Sequence, residues 1–316
     1  MDVDDSRAEY GNRRIRLTVA YDGTAYHGWQ IQPGKATIEE TLNVALSDLF
    51  EEPVKVLGLS RTDAGVHALG NIAVFDAGGR IPADKVCYAL NARLPGDIRV
   101  RRSEEVPAGW HPRKVPCVKT YRYRICNART ENPLTGRYSY FFHEPLDIGR
   151  MRAGAAYLVG EHDFAAFCAA GAQNVGTVRR IDGIAVVGAG DIGDDIGTGD
   201  LGVEDPSRVG RVQTVRGHVT GETGTHSTGV FGADGAAAAR PASESISITV
   251  WGNGFLYNMV RIIAGTLIAV GSGAKEPQWV GEVLASRDRR QAGPTAPAKG
   301  LTLVGVVFDR AQTGLP

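Results

Sequence analysis

Arg61, Asp63 and His67 stand close together in the stretch "SRTDAGVHA" (residues 60–68), with Gly65 between the last two. A carboxylate on such a loop is held ionised by an adjacent arginine and by nearby backbone N–H groups. An ionised carboxylate in a cleft serves as a nucleophile or a general base. The same residues also satisfy a plain Asx-turn carrying two solvated charges. Asp63 with His67 offers a metal two donors but no third nearby, so His67 is read as a structural residue.

Two further stretches carry chemistry-bearing residues. In "CVKTYRYRICNAR" (117–129), a strand puts Lys119, Tyr121, Tyr123 and Ile125 on one face and Thr120, Arg122 and Arg124 on the other. Aromatics interleaved with bases suit a polynucleotide, because rings stack on nucleobases and cations meet phosphates. A sheet with one aromatic core face and one solvated basic face gives the same pattern. In "WGNGFLYNMVRIIAGTLIAVGSG" (251–273), a helix apolar nearly all round carries Arg261 in its interior. That guanidinium must either snorkel to water or meet a carboxylate, because an unpaired buried charge is costly. Asp63 is the natural partner.

Elements that could position these residues are legible around them. "RIRLTVAYD" (13–22) alternates as a strand, and strands are expected at 54–59 and 70–76 on either side of the Asp63 loop. Thr37 and Glu40 form a capping-box pattern ahead of an amphipathic helix at 37–50. A helix over 82–94 and a strand from Asp97 complete a first half. A second half follows, with strands near 117–126 and 137–143 and a helix near 147–159. Two strands flank a long insertion, then come helices at 255–270 and 277–287 and a final strand, "LTLVGVVFD". This order predicts an α+β fold with two antiparallel or mixed sheets covered by helices.

The net charge of zero hides an asymmetry. Residues 1–12 hold four acids and one base, and residues 188–244 hold nine acids and four bases. With 35 residues of each sign overall, the rest of the chain keeps 30 bases against 22 acids, a net of +8. A basic body is compatible with a polyanionic partner. The 188–244 segment, rich in Gly, Asp and Thr, is read as a disordered insertion, and 1–12 and 310–316 as tails. The body divides into halves at 13–110 and 111–309. No apolar run approaches a membrane span, and the acidic N-terminus is not a targeting peptide, so a cytoplasmic location is expected. The four cysteines form no CxxC pair, and no GxxxxGK[ST], GxGxxG after a strand, or GxSxG occurs, so no nucleotide cofactor is indicated.

Taken in order, "RTDAGVHALG", "KTYRYRI" and "GFLYNMVRIIAG" resemble the three motifs of the tRNA pseudouridine synthase A family. Similarity extends through "YDGTAYHGWQ", "NARLPGDI", "FHEPLD", "GEHDF" and "GLTLVGV", covering about residues 13–187 and 245–309. The resemblance implies a pseudouridine synthase fold, in which two similar α/β halves form a central, mostly antiparallel sheet. It places helices on one face and the active cleft between the halves. It implies isomerisation of uridine to pseudouridine at tRNA positions 38, 39 and 40, without metal or organic cofactor, by a homodimer with tRNA crossing both subunits. Residue by residue, it makes Asp63 the catalytic nucleophile and Arg61 the residue that helps hold the target nucleotide out of the stack. Tyr121 becomes the ring packed on the target base, and Arg261 the cation paired with Asp63. Phe255 and Val260 are reasonable apolar walls for a closed, dry pocket. The carboxylate would attack the sugar or the base, or move a proton at C2′. Ser60 departs from the glycine more usual in the family, and the insertion is unusually long and expected to project away from the tRNA path. The competing reading is a non-catalytic RNA-binding or tRNA chaperone protein on the same fold.

Overall fold

Alternating buried and half-buried side chains along Arg13–Tyr21 (β1) and a long buried run along His67–Ala77 (β3) set the centre of the first half. In the computed structural model, which describes residues 12–171, 176–188 and 245–309, these strands pair antiparallel, and Ile98–Val106 (β4) closes the outer edge against β1. Ile38–Phe50 (α1) begins at Thr37, whose hydroxyl accepts from Glu40 N–H as the capping pattern predicts. Val86–Asn91 (α2) is shorter than the 82–94 expectation, because its first turn winds as a 3₁₀ helix over Ala83–Lys85.

The strand expected at 54–59 shrinks to Leu57–Gly58 (β2), paired with β3. The reason is local. Val54 N–H donates to Ser47 Oγ and Val56 N–H to Asn43 Oδ1, both on α1, so these amides are satisfied by the helix rather than by a neighbouring strand.

The second half is built on Cys117–Cys126 (β5), with Tyr140–Phe141 (β6) alongside it in parallel, a remnant of the longer strand expected there. Ile148–Ala155 (α3) runs into a 3₁₀ turn at Ala156–Leu158, followed by Gly160–Asp163 (β7), which periodicity alone did not mark. Val178–Gly188 (β8) and Ser245–Gly252 (β9) pair antiparallel. Met259–Gly271 (α4) and Trp279–Ser286 (α5) precede the last strand, Leu301–Phe308 (β10). Nearly all of the expected tails and of the 188–244 insertion lie outside the described residues, as does the direction in which the insertion projects. Its flanks are described: Gly188 pairs with Ile246, at the end of β9 away from Gly252.

One sheet replaces the two that strand order suggested. β10 runs parallel to β3 at residues 302–303 and antiparallel to β5 along most of its length, welding both halves into the order β4-β1-β3-β10-β5-β9-β8-β7. All pairings except β10–β3 and β5–β6 are antiparallel. Two apolar cores lie along this sheet. One gathers β1, α1, β3, α2 and β4, and the other β5, α3, β8, β9, α4 and α5. The chain is α+β, with a large mixed sheet and five described α-helices.

Candidate active site

The Asp63 loop leaves β2 and re-enters the sheet at His67. Asp63 O accepts from Val66 N–H, closing a tight turn in which Gly65 sits at φ 76°. An L side chain there would be strained, so glycine sets the turn that aims Asp63. Thr62 O accepts from Trp29 N–H and Tyr26 O accepts from Gly65 N–H, so the "YDGTAYHGWQ" stretch backs this loop.

Arg261 approaches from the other core. The chain enters α4 through Asn258, held at φ 59°, and Arg261 follows within the first turn. Its Nε donates to Ala296 O (2.7 Å) and its Nη1 to Asn258 Oδ1 (2.8 Å). The 294–296 segment packs this closely on α4 because Gly265 has no Cβ; one built there would sit 1.9 Å from Pro294 O. Arg261 therefore turns inward rather than snorkelling. Its Nη1 lies 3.5 Å from Asp63 Oδ2, across 198 residues of chain, with side chains 17% and 22% exposed respectively. At 3.5 Å the contact is ionic more than a well-formed hydrogen bond.

The expected Arg261–Asp63 pair is present, and the structure corrects only the local reading that the adjacent arginine holds the carboxylate ionised: Arg61 is exposed and lies beside Arg113. Burial raises the Asp63 pKa above the ordinary aspartate value, and Arg261 only partly offsets that rise. The carboxylate is thus a partly desolvated anion whose charge is costly to keep.

Tyr121 lies mid-sheet, opposite Leu303 of β10 and Val250 of β9. Phe255 meets it edge-on, with ring centroids 5.2 Å apart and planes at 82°. Burial pushes the phenol pKa up to about 12, the nearby Ser60 hydroxyl working against this and the Asp63 charge with it. Tyr121 is therefore a neutral phenol at physiological pH. Ser60 Oγ is buried and makes no hydrogen bond of full geometry among the described residues. Val260 is buried in the second core, next to Arg261 in α4.

Around this cleft, cations crowd one another. Arg113 donates twice to Gly58 O and has its pKa pushed down by burial and then by Arg61. Lys119, two residues before Tyr121, is pushed down by burial and by Arg113 and Arg179, against the pull of Cys117. Such crowding is relieved by an incoming anion.

His67 is engaged elsewhere, with Gly23, Tyr138 and Asp22. Its Nδ1 accepts from Gly23 N–H (3.1 Å), its ring stands edge-on to Tyr138, and burial lowers its pKa despite nearby Asp22. The structure thus brings together Asp63, Arg261, Tyr121 and Phe255, and sets Arg61 at the exposed rim. Sequence reading missed Asn258 and the Ala296 carbonyl, which hold Arg261, and a buried set beneath the loop: Tyr21, Thr62 and Asn71. A polar Asn71 inside the apolar run "GNIAVF" was the available signal.

Comparison with known proteins identifies the family. A family model described as tRNA pseudouridine synthase matches residues 17–113 and 155–309; Tyr121 lies between the two matched stretches. Proteins named tRNA pseudouridine synthase A from Ruminiclostridium cellulolyticum, Geotalea uraniireducens and Brevibacillus brevis are 40%, 39% and 38% identical to the chain. Each match covers 94% of this chain and 100% of the relative. With matches of this extent to both the family model and full-length relatives, the chain belongs to the tRNA pseudouridine synthase family.

Proposed function

We propose that this protein isomerises uridine to pseudouridine at positions 38, 39 and 40 of the tRNA anticodon arm, with Asp63 as the nucleophile. The observation that carries this reading is the half-buried Asp63–Arg261 pair beside the Tyr121–Phe255 wall. A protein that only binds RNA has no use for a desolvated carboxylate held against a guanidinium.

The reaction requires C1′–N1 cleavage, rotation of the uracil and re-attachment through C5. The target nucleotide must first leave its stack, for which Arg61 at the rim is the wedge and Tyr121 the ring on which the base packs. Attack by Asp63 relieves the cost of its buried charge, so desolvation favours the covalent step. Arg261 keeps the carboxylate ionised until attack and stabilises it when it leaves. Phe255 and Val260 wall the pocket against water that would intercept the detached uracil. Arg61, Arg113, Lys119 and Arg179 supply the phosphate contacts that dominate tRNA affinity.

The halves 13–110 and 111–309 flank the cleft, and the working unit is a cytoplasmic homodimer with one tRNA crossing both subunits. The chemistry needs neither metal nor organic cofactor. Incubation with unmodified tRNA transcripts, followed by pseudouridine mapping, tests the reading: product confined to positions 38–40 supports it, and no product from the wild-type protein defeats it. Light scattering giving a monomer with full activity would remove the dimer from it.

A further inference from the structure

Beneath the Asp63 loop lies a buried polar side chain that the reaction itself does not use. Asn71 is fully buried in β3, a setting where an unpaired amide is costly and asparagine is disfavoured. All of its hydrogen-bonding groups are engaged. Oδ1 accepts from Ser60 N–H (3.3 Å) and from Ile72 N–H (2.9 Å), while Nδ2 donates to Ser60 O (3.0 Å) and to Tyr21 Oη (3.2 Å). The donor and acceptor on Ser60 fix which way round the amide stands. Tyr21 Oη in turn pairs with Thr62 Oγ1 at 2.7 Å.

The geometry has a clear sense. β2 pairs with Val74 and Ala73 of β3, and Leu59 N–H still reaches Ile72 O. At the next residue the chain peels away toward the cleft, and the Asn71 side chain bonds both peptide groups of Ser60 in place of strand backbone. The Tyr21 hydroxyl then holds Thr62, the residue just before Asp63. Every member of this set is neutral, so it fixes position without adding charge beside the carboxylate.

We propose that Asn71 is a positioning residue of the active site, acting with Tyr21 to fix residues 60–62 and hence the point from which Asp63 enters the cleft. This inference rests on the reading of Asp63 as the reacting group. Displacing a reacting atom by about 1 Å costs on the order of a hundredfold in rate, which sets the scale of the effect.

The test uses the full-length protein with Asn71→Leu and Tyr21→Phe. It measures single-turnover pseudouridine formation at saturating tRNA transcript, tRNA dissociation constant, thermal midpoint, and the Asp63 pKa by carboxylate NMR titration. Asn71→Leu is expected to slow the chemical step by roughly 30- to 100-fold and Tyr21→Phe by roughly 3- to 10-fold. The dissociation constant should stay within about threefold, because phosphate contacts set it. Loosening the loop also admits water to Asp63, so its pKa should fall toward the ordinary value; Arg261 and Tyr121, the other groups facing it, are untouched.

A lowered thermal midpoint with the wild-type rate per folded molecule and an unmoved Asp63 pKa would overturn the proposal. Equal losses in rate and binding would overturn it as well. If Asn71→Leu does not fold, Tyr21→Phe decides by the same criteria. A wild-type protein that makes no pseudouridine defeats the functional reading instead, and the NMR titration then decides the positioning role alone.

Discussion

Asp22 and Asp63 are both partly buried and both lie beside a cation, with Asp63 the more deeply enclosed, and their pKa values move in opposite directions. Burial pushes both up. At Asp22 that push is more than reversed by bonds from the Thr24 N–H and hydroxyl and from Tyr138 Oη, with His67 nearby. At Asp63, among the described residues, Arg261 alone opposes it, from 3.5 Å, and burial wins. The contrast separates a carboxylate bonded by several donors from one that has a single donor among the described residues. A carboxylate with few donors and a costly charge is the one of the two that fits the proposed nucleophile.

Removing Asp63 should break this contrast most severely. Asp63→Asn should lower pseudouridine formation at least ~10³-fold while tRNA binding stays within about tenfold; mapping and filter binding on the same transcripts check both. Asp22→Asn, by comparison, should keep the catalytic rate within about threefold, since its bonds hold loops together rather than touching substrate.

Arg261→Leu should cost roughly 10²-fold in rate and shift the acid limb of the pH–rate profile upward. The sign follows from Arg261 being the influence that lowers the Asp63 pKa. Without it the carboxylate protonates at higher pH and activity is lost sooner as pH falls. A limb that stays put or moves down would show that Arg261 does not govern Asp63.

Asp22→Asn should lower stability by roughly 1–2 kcal/mol at neutral pH. Because the folded Asp22 pKa is depressed below 3.8, its contribution is complete above that value and is lost as pH falls through the folded pKa. Chemical denaturation of the two proteins should therefore converge in strong acid. The smallest effect is expected at Ser60→Ala, which deletes a buried hydroxyl lacking a well-formed bond. Stability should change by less than about 1 kcal/mol, and the rate should hold within about threefold. A larger loss would mean that Ser60 holds Tyr121 in the reacting complex.

The Asp63 loop, the Tyr121 strand and the Arg261 helix were legible because each is a contiguous stretch. A turn glycine, a period of two and one charge in an apolar helix are all local signals. The Arg261–Asp63 pairing was legible too, as a lone cation in an apolar helix that needs a carboxylate. What steers it was not: only folding shows that Arg61 faces outward while Arg261 is held inward by Asn258 and Ala296 O. The short β2 was misjudged for a related reason: its upstream amides are bonded by side chains of α1, which leave no trace in a hydrophobic pattern.

By itself, then, the sequence determined the α+β alternation, the basic body with an acidic insertion, and the three stretches that meet at the candidate site. These depend on periodicity, composition and turn residues, which act over a few positions. Tertiary structure alone decided that β10 is the strand joining the halves, that Asn258 and Ala296 O steer Arg261 onto Asp63, and that Asn71 and Tyr21 bond the loop ahead of Asp63. Those outcomes depend on pairings between residues far apart in the chain. Their energies come from burial and hydrogen-bond geometry that exist only once both partners are in place.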